Sequence, residues 1–170
     1  MTKKYGRGIR YVQKNRPDFA GLALFLVVVF VVWLQYGTRY NQIEVWQVNW
    51  ALETPPEQRT TTVFEHAGRD PDQYVIVEYS AEAVEELRGR NTWHSAGVPG
   101  AVQAHVASFQ SLMKELHSQE SQVLEEQFRN HPVPSHERLL YLTRTKEDGS
   151  RMLAVLDAEN RRLYVMEVFF

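Results

Sequence analysis

The chain has 170 residues, a net charge of −2 and no cysteine. The absence of cysteine excludes disulfide bonds, thiolate metal sites and cysteine nucleophiles. The charge is unevenly distributed, because residues 1–18 carry a net charge of +5 and the rest of the chain carries −7. A domain with an acidic surface repels the phosphate backbone, so we expect no nucleic-acid partner.

Residues 1–18 are predicted to form a basic tail without apolar periodicity. The positive-inside rule places such a tail on the cytoplasmic side of a membrane. Two interpretations remain open for its charges: they only set the topology, or they also contact anionic lipid head groups or a partner on that side. The residues predicted to make such contacts are Lys3, Lys4, Arg7 and Arg10.

Residues 19–36 predict a transmembrane helix. Twelve of the first sixteen are Leu, Val or Phe, and none of the eighteen is charged at neutral pH. At ~1.5 Å per residue, eighteen residues span about 27 Å, close to the ~30 Å hydrocarbon core of a bilayer. No small-residue cleavage pattern follows, so we expect a retained anchor rather than a cleaved signal peptide. Residues 1–17 are basic and lack acids, as in an import presequence, but they contain no Ser, which argues against one. The lack of charge predicts a helix that anchors and does not conduct ions.

Aromatic residues mark the far boundary of the predicted span. Trp33, Tyr36 and Tyr40 are expected in the head-group layer, where amphipathic rings are favoured. Residues 37–59 are then expected to form an interfacial segment and a linker, since Pro55 and Pro56 interrupt regular structure.

Trp46 and Trp50 stand out within this segment. The spacing of Ile43, Trp46 and Trp50 favours one face of a helix, although the alternation from Val48 to Leu52 also suits a strand. Two tryptophans this close to the predicted span suggest contact with the membrane interface or with a partner subunit. The alternative is that both side chains pack in the core of the domain.

Residues 60–170 predict an α+β domain outside the membrane. We expect an antiparallel sheet of about five strands, packed with one short and one long helix. Ser80 is expected to cap the short helix, which Gly89 ends. The Asp148–Gly149 pair between two apolar runs predicts a hairpin turn. The last turns of the long helix are expected to project past the sheet as a docking surface. The predicted strands cover 61–66, 73–79, 138–145, 151–156 and 162–170, and the helices cover 81–88 and 99–129.

The chain ends on two apolar aromatic residues, Phe169 and Phe170. An end this apolar, inside a predicted strand, is expected to be covered by the domain's own helix or by another subunit.

The sequence contains no convincing motif for chemistry. Six histidines occur, but none forms an HxxxH or HExxH pair, and the closest candidates are His131 and His136 in a proline-containing loop. No phosphate-binding loop, nucleophile elbow or EF-hand loop is present. We therefore predict no catalytic residue, no cofactor site and no metal site, and we do not expect an enzyme.

Together these features favour a non-catalytic, single-pass accessory or assembly subunit of a larger membrane protein complex, such as a respiratory or photosynthetic one. Its expected partners are membrane lipids and the other subunits. Its expected place is the cell inner membrane, or an equivalent organelle membrane, with the C-terminal domain in the periplasm or an equivalent space. The alternatives are a bitopic scaffold of a secretion or cell-division machine and, third, an anchored metal-binding domain or enzyme.

Overall fold

A computed structural model of the chain describes residues 42–66, 71–98 and 100–170. They belong to one compact unit that begins at residue 41. The predicted tail (1–18) and the predicted span (19–36) lie outside the described residues. Within the described part, no helix is long and apolar enough to cross a membrane.

The described elements are four α-helices, one 3₁₀ turn and six strands. In chain order they are α1 (Gln42–Trp50), β1 (Arg59–Glu65), β2 (Gln73–Glu78), α2 (Ala81–Arg90), β3 (His94–Ser95), α3 (Ala101–Leu116), the 3₁₀ turn (Ser118–Glu120), α4 (Ser121–Asn130), β4 (Leu140–Thr145), β5 (Arg151–Asp157) and β6 (Arg162–Val168).

The strands form one sheet in the order β1-β2-β6-β5-β4-β3, and every neighbouring pair is antiparallel. The predicted α+β class with an antiparallel sheet is confirmed. The described sheet has six strands rather than about five, because two residues of a predicted loop, His94 and Ser95, pair with the edge of β4.

Both faces of the sheet are covered by helices, which makes a three-layer arrangement. On β5, Leu153 and Val155 face α3 and α4, whereas Met152, Ala154 and Leu156 face the layer that contains α1 and α2. Side chains alternate across a strand, so burial on both faces explains why β5 is apolar at consecutive positions. The core therefore has two halves, one on each side of the sheet.

The prediction of one long helix is wrong. The chain leaves helical geometry at His117 (φ −109°, ψ 51°), passes through the 3₁₀ turn and begins α4 at Ser121. Leu124 and Phe128 of α4 are buried in the core half that faces α3. The last turns therefore fold back onto the sheet and do not project past it, since burying these side chains stabilises the packed position.

Two local predictions hold, and one does not. The Ser80 hydroxyl accepts a 3.1 Å hydrogen bond from the Ala83 amide and caps α2. Gly149 adopts a φ of 92° in the turn between β4 and β5, where a left-handed conformation favours glycine. Gly89 does not end α2, because the helix continues to Arg90.

Candidate functional site

Helix α1 lies on the sheet immediately after the predicted membrane-proximal residues. Residues 42–58, expected to belong to an interfacial segment and linker, are part of the compact unit. Trp46 and Trp50 face the sheet with exposures of 1% and 3%. Ala51 then takes a positive φ of 50°, which ends the helix and turns the chain toward the buried Leu52.

The carboxylate of Glu167 holds α1 in this position. Its side chain is fully buried on β6, and both indoles of α1 donate to it: Trp46 Nε1 at 2.7 Å and Trp50 Nε1 at 2.5 Å. A third donor is the side-chain amide of Gln73 on β2, which stands directly opposite Glu167 in the sheet register. Three N–H donors around one buried carboxylate satisfy a group that would otherwise be costly to bury.

The electrostatics of Glu167 reflect two opposing causes. Burial raises the pKa of the carboxyl above its ordinary value of 4.5, since desolvation disfavours the charged form. The donors on Trp46, Trp50 and Gln73 oppose this rise, and the positive charge of Lys146 opposes it further. The site thus combines a desolvated acid with hydrogen bonds that favour its ionised form.

Lys146 closes the outer side of this site. Its ammonium lies 4.6 Å from the centre of the Trp50 ring and 5.3 Å from that of Phe169, within the range of cation–π attraction. The two rings contact each other with centroids 5.4 Å apart. Residues from α1, from the β4–β5 turn and from the end of the chain therefore meet at one point.

A second set of bonds holds the chain that follows α1. The Asn91 side chain accepts from the Glu53 amide at 3.0 Å and donates to the Glu53 carbonyl at 2.7 Å. The Gln58 amide then donates to the Glu78 carbonyl at 2.9 Å, next to the start of β1. Residues 42–58 are consequently attached to the sheet along their length rather than at one end. We call residues 42–58 the docked segment.

Asp72 connects this region to the opposite face of the sheet. One carboxylate oxygen accepts from the Phe169 amide at 2.7 Å, and the other lies 2.7 Å from Nε2 of His117, where α3 ends. The His117 ring lies 4.2 Å from that of His66, which pairs with Glu120 at 3.1 Å. Asp72 thereby ties the C-terminal end to the break between α3 and α4.

Among the residues that the structure describes, no three His, Asp or Glu side chains converge closely enough to hold a metal ion. His136, a candidate from the sequence, lies 3.5 Å from Asp157, a buried carboxylate that also accepts from Asn160. These contacts stabilise the turn between β5 and β6.

The structure brings together only some of the predicted contact residues. Trp46, Trp50 and Phe169 meet around Glu167 and Lys146, and both indoles are in the core, which was the alternative interpretation. Phe170 is exposed beside Gly149, and its amide donates to the Ser150 hydroxyl. The other predicted residues lie outside the described range: Lys3, Lys4, Arg7, Arg10, Trp33, Tyr36 and Tyr40.

Sequence reasoning missed Glu167, Gln73 and Asn91. One pattern could have indicated Glu167: it is the single acid in the otherwise apolar run from Leu163 to Phe170. A lone acid in such a run is exposed or has a buried partner, and the strand pattern puts it on a covered face.

Comparisons with protein-family models, curated proteins and solved structures find no match.

Proposed function

We propose that this chain is a non-catalytic, single-pass accessory or assembly subunit of a larger membrane protein complex. The observation that supports this most is the attachment of α1 to the sheet through Glu167. Only residues 37–41 separate the predicted span from α1. A short connection in the sequence between a predicted anchor and a docked helix suits a subunit that braces its neighbours in a membrane complex.

In this proposal the basic tail stays on the cytoplasmic side, and the domain occupies the periplasm or an equivalent space. The membrane is the cell inner membrane or its organelle equivalent, and the partners are its lipids and the other subunits of the complex. Respiratory and photosynthetic complexes are the first classes to examine, since small single-span subunits are expected there.

The test is purification of the full chain from its native membrane in mild detergent. The affinity tag is placed at the N-terminus in one sample and at the C-terminus in another, because both ends carry predicted contact residues. Native electrophoresis and mass spectrometry then identify what migrates with the chain. We expect a large complex of fixed stoichiometry. If the chain migrates without any partner, the proposal is contradicted. If it migrates as a small homo-oligomer, the alternative of a bitopic scaffold is favoured.

A matched pair of variants sharpens this test. Phe170 and Val98 are both 62% exposed, but only Phe170 belongs to the predicted contact residues. We expect Phe170→Ser to lower the yield of the intact complex several-fold, because it removes an apolar contact at an interface. Val98→Ser removes an equally exposed apolar side chain elsewhere and should leave the yield unchanged.

A further inference from the structure

A groove with a volume of about 320 Å³ lies between α3 and α4. The two helices run antiparallel, because the Gln103 amide at the start of α3 donates at 2.9 Å to the carbonyl of Pro134, beyond the end of α4. Ala107, an exposed residue of α3 with a single methyl group as its side chain, is among the residues that line the groove. Its volume is at the lower end of the range for small-ligand sites, ~300–1,000 Å³.

The two walls of the groove carry positive charge. Lys114 of α3 and Arg129 of α4 both line it, and within the described residues neither forms an ion pair with a carboxylate. Glu125 is the one acid among the lining residues, so their formal charge is +1. Cations that lack an internal partner on facing walls favour an anion between them.

The floor of the groove is apolar. Phe128 precedes Arg129 on α4, and its side chain packs into the core beneath the groove. Gln110 adds an amide that can donate a hydrogen bond from the α3 wall. The lining therefore offers an apolar surface, two cations and one amide within a single small cavity.

We infer that this groove binds a small amphipathic monoanion, with a carboxylate attached to an apolar body about the size of one ring. The carboxylate lies between Lys114 and Arg129, and the apolar body contacts Phe128 and fills the space over Ala107. This inference is independent of the proposed assembly function, because it uses the opposite face of the sheet from the docked segment.

The test uses 3-phenylpropionate as the probe and 2-phenylethylamine as its cationic counterpart. The full chain in lipid nanodiscs is titrated by calorimetry, with empty nanodiscs as the blank. We expect saturable binding of the acid and none of the amine. Lys114→Gln and Arg129→Gln should each weaken binding about tenfold, as expected for one charged hydrogen bond. Arg151→Gln, an exposed cation outside the groove, should not change it.

A second pair of variants tests the shape of the site without changing its charge. Ala107→Leu fills the groove and should abolish binding, whereas Ala104→Leu adds the same bulk at an exposed position of α3 outside it. The inference is overturned if the acid shows no saturable binding, if the amine binds equally well, or if Ala107→Leu and the two charge variants bind as the unmodified chain does.

Discussion

The indole nitrogen of Trp46 lies 2.7 Å from Oε2 of Glu167, although 121 positions separate the two residues in the chain. This bond joins the first described helix to the last strand of the sheet. Trp50 repeats the connection one turn later, at the other carboxylate oxygen. The helix that follows the predicted span is therefore held by β6, the last strand of the domain.

Removal of the Glu167 carboxylate should destabilise the domain strongly. Glu167→Ala leaves three buried N–H donors without an acceptor, and each such group costs about 1–3 kcal/mol. We expect the free energy of unfolding to fall by about 3–5 kcal/mol. Thermal unfolding of the full chain in mild detergent, followed by tryptophan fluorescence, measures this loss.

Glu167→Gln is the matched control for that change. Its oxygen can still accept from Trp46 and Gln73, but its amide nitrogen then faces the indole N–H of Trp50. We expect the free energy of unfolding to fall by about 1–3 kcal/mol, which is less than for Glu167→Ala. Equal stability of both variants and the unmodified chain would show that the carboxylate does not hold α1.

The stability of the domain should depend on pH through Glu167. Because its pKa is raised in the folded state, the folded chain binds this proton more tightly than the unfolded chain does. The contribution of this proton to the free energy of unfolding is fully present below pH 4.5, the ordinary pKa of the group. It is lost as the pH rises through the pKa of Glu167 in the folded chain. The unmodified chain should therefore lose stability relative to Glu167→Gln as the pH rises from 4.5. If the difference in free energy of unfolding between the two chains stays constant with pH, the raised pKa of Glu167 is contradicted.

Substitution of Trp50 tests the indole bond separately from the ring. Trp50→Phe keeps an aromatic ring but removes the N–H that donates to a carboxylate, so we expect a loss of about 1.5–3 kcal/mol. Trp93→Phe is the control, because Trp93 donates at 3.0 Å to a neutral carbonyl, that of Leu87. For Trp93→Phe the free energy of unfolding should fall by only about 1 kcal/mol. Chemical denaturation of both variants gives the comparison.

The pair of Asp72 and His117 should couple more strongly than the neighbouring pair of His66 and Glu120. The side chains of the first pair are about one-tenth exposed, and those of the second are nearly half exposed. A double-mutant cycle with Asp72→Asn and His117→Gln should give a coupling of about 1–2 kcal/mol. The same cycle on the exposed pair should give less than about 1 kcal/mol. A larger coupling free energy for the exposed pair than for the buried pair would contradict the role assigned to Asp72.

Several parts of the fold could be predicted because their determinants are local. Ser80 caps the helix that follows it, and the Asp148–Gly149 turn specifies a hairpin whatever lies around it. The break at His117 could not be predicted, since its partner Asp72 lies 45 positions away. Without that contact, the apolar spacing of α3 and α4 suggests one continuous helix.

The same reason limits what the sequence says about the site. The spacing of Trp46 and Trp50 correctly indicated one helical face, but their acceptor is on the last strand, and no local pattern connects them. Tryptophan suits a core and an interface equally well, so burial could be decided only once the sheet was known. Whether Phe170 and the basic tail contact partners stays a prediction.

The most direct test of the account is hydrogen exchange at the amides of residues 46–50, which have acceptors within α1, in the full chain in lipid nanodiscs. If Glu167 holds α1 on the sheet, these amides should be protected nearly as well as those of β6, because both open in the same event. Glu167→Ala should raise their exchange at least tenfold relative to α4. Fast exchange of residues 46–50 in the unmodified chain, while β6 stays protected, would contradict a docked helix and the brace proposed from it.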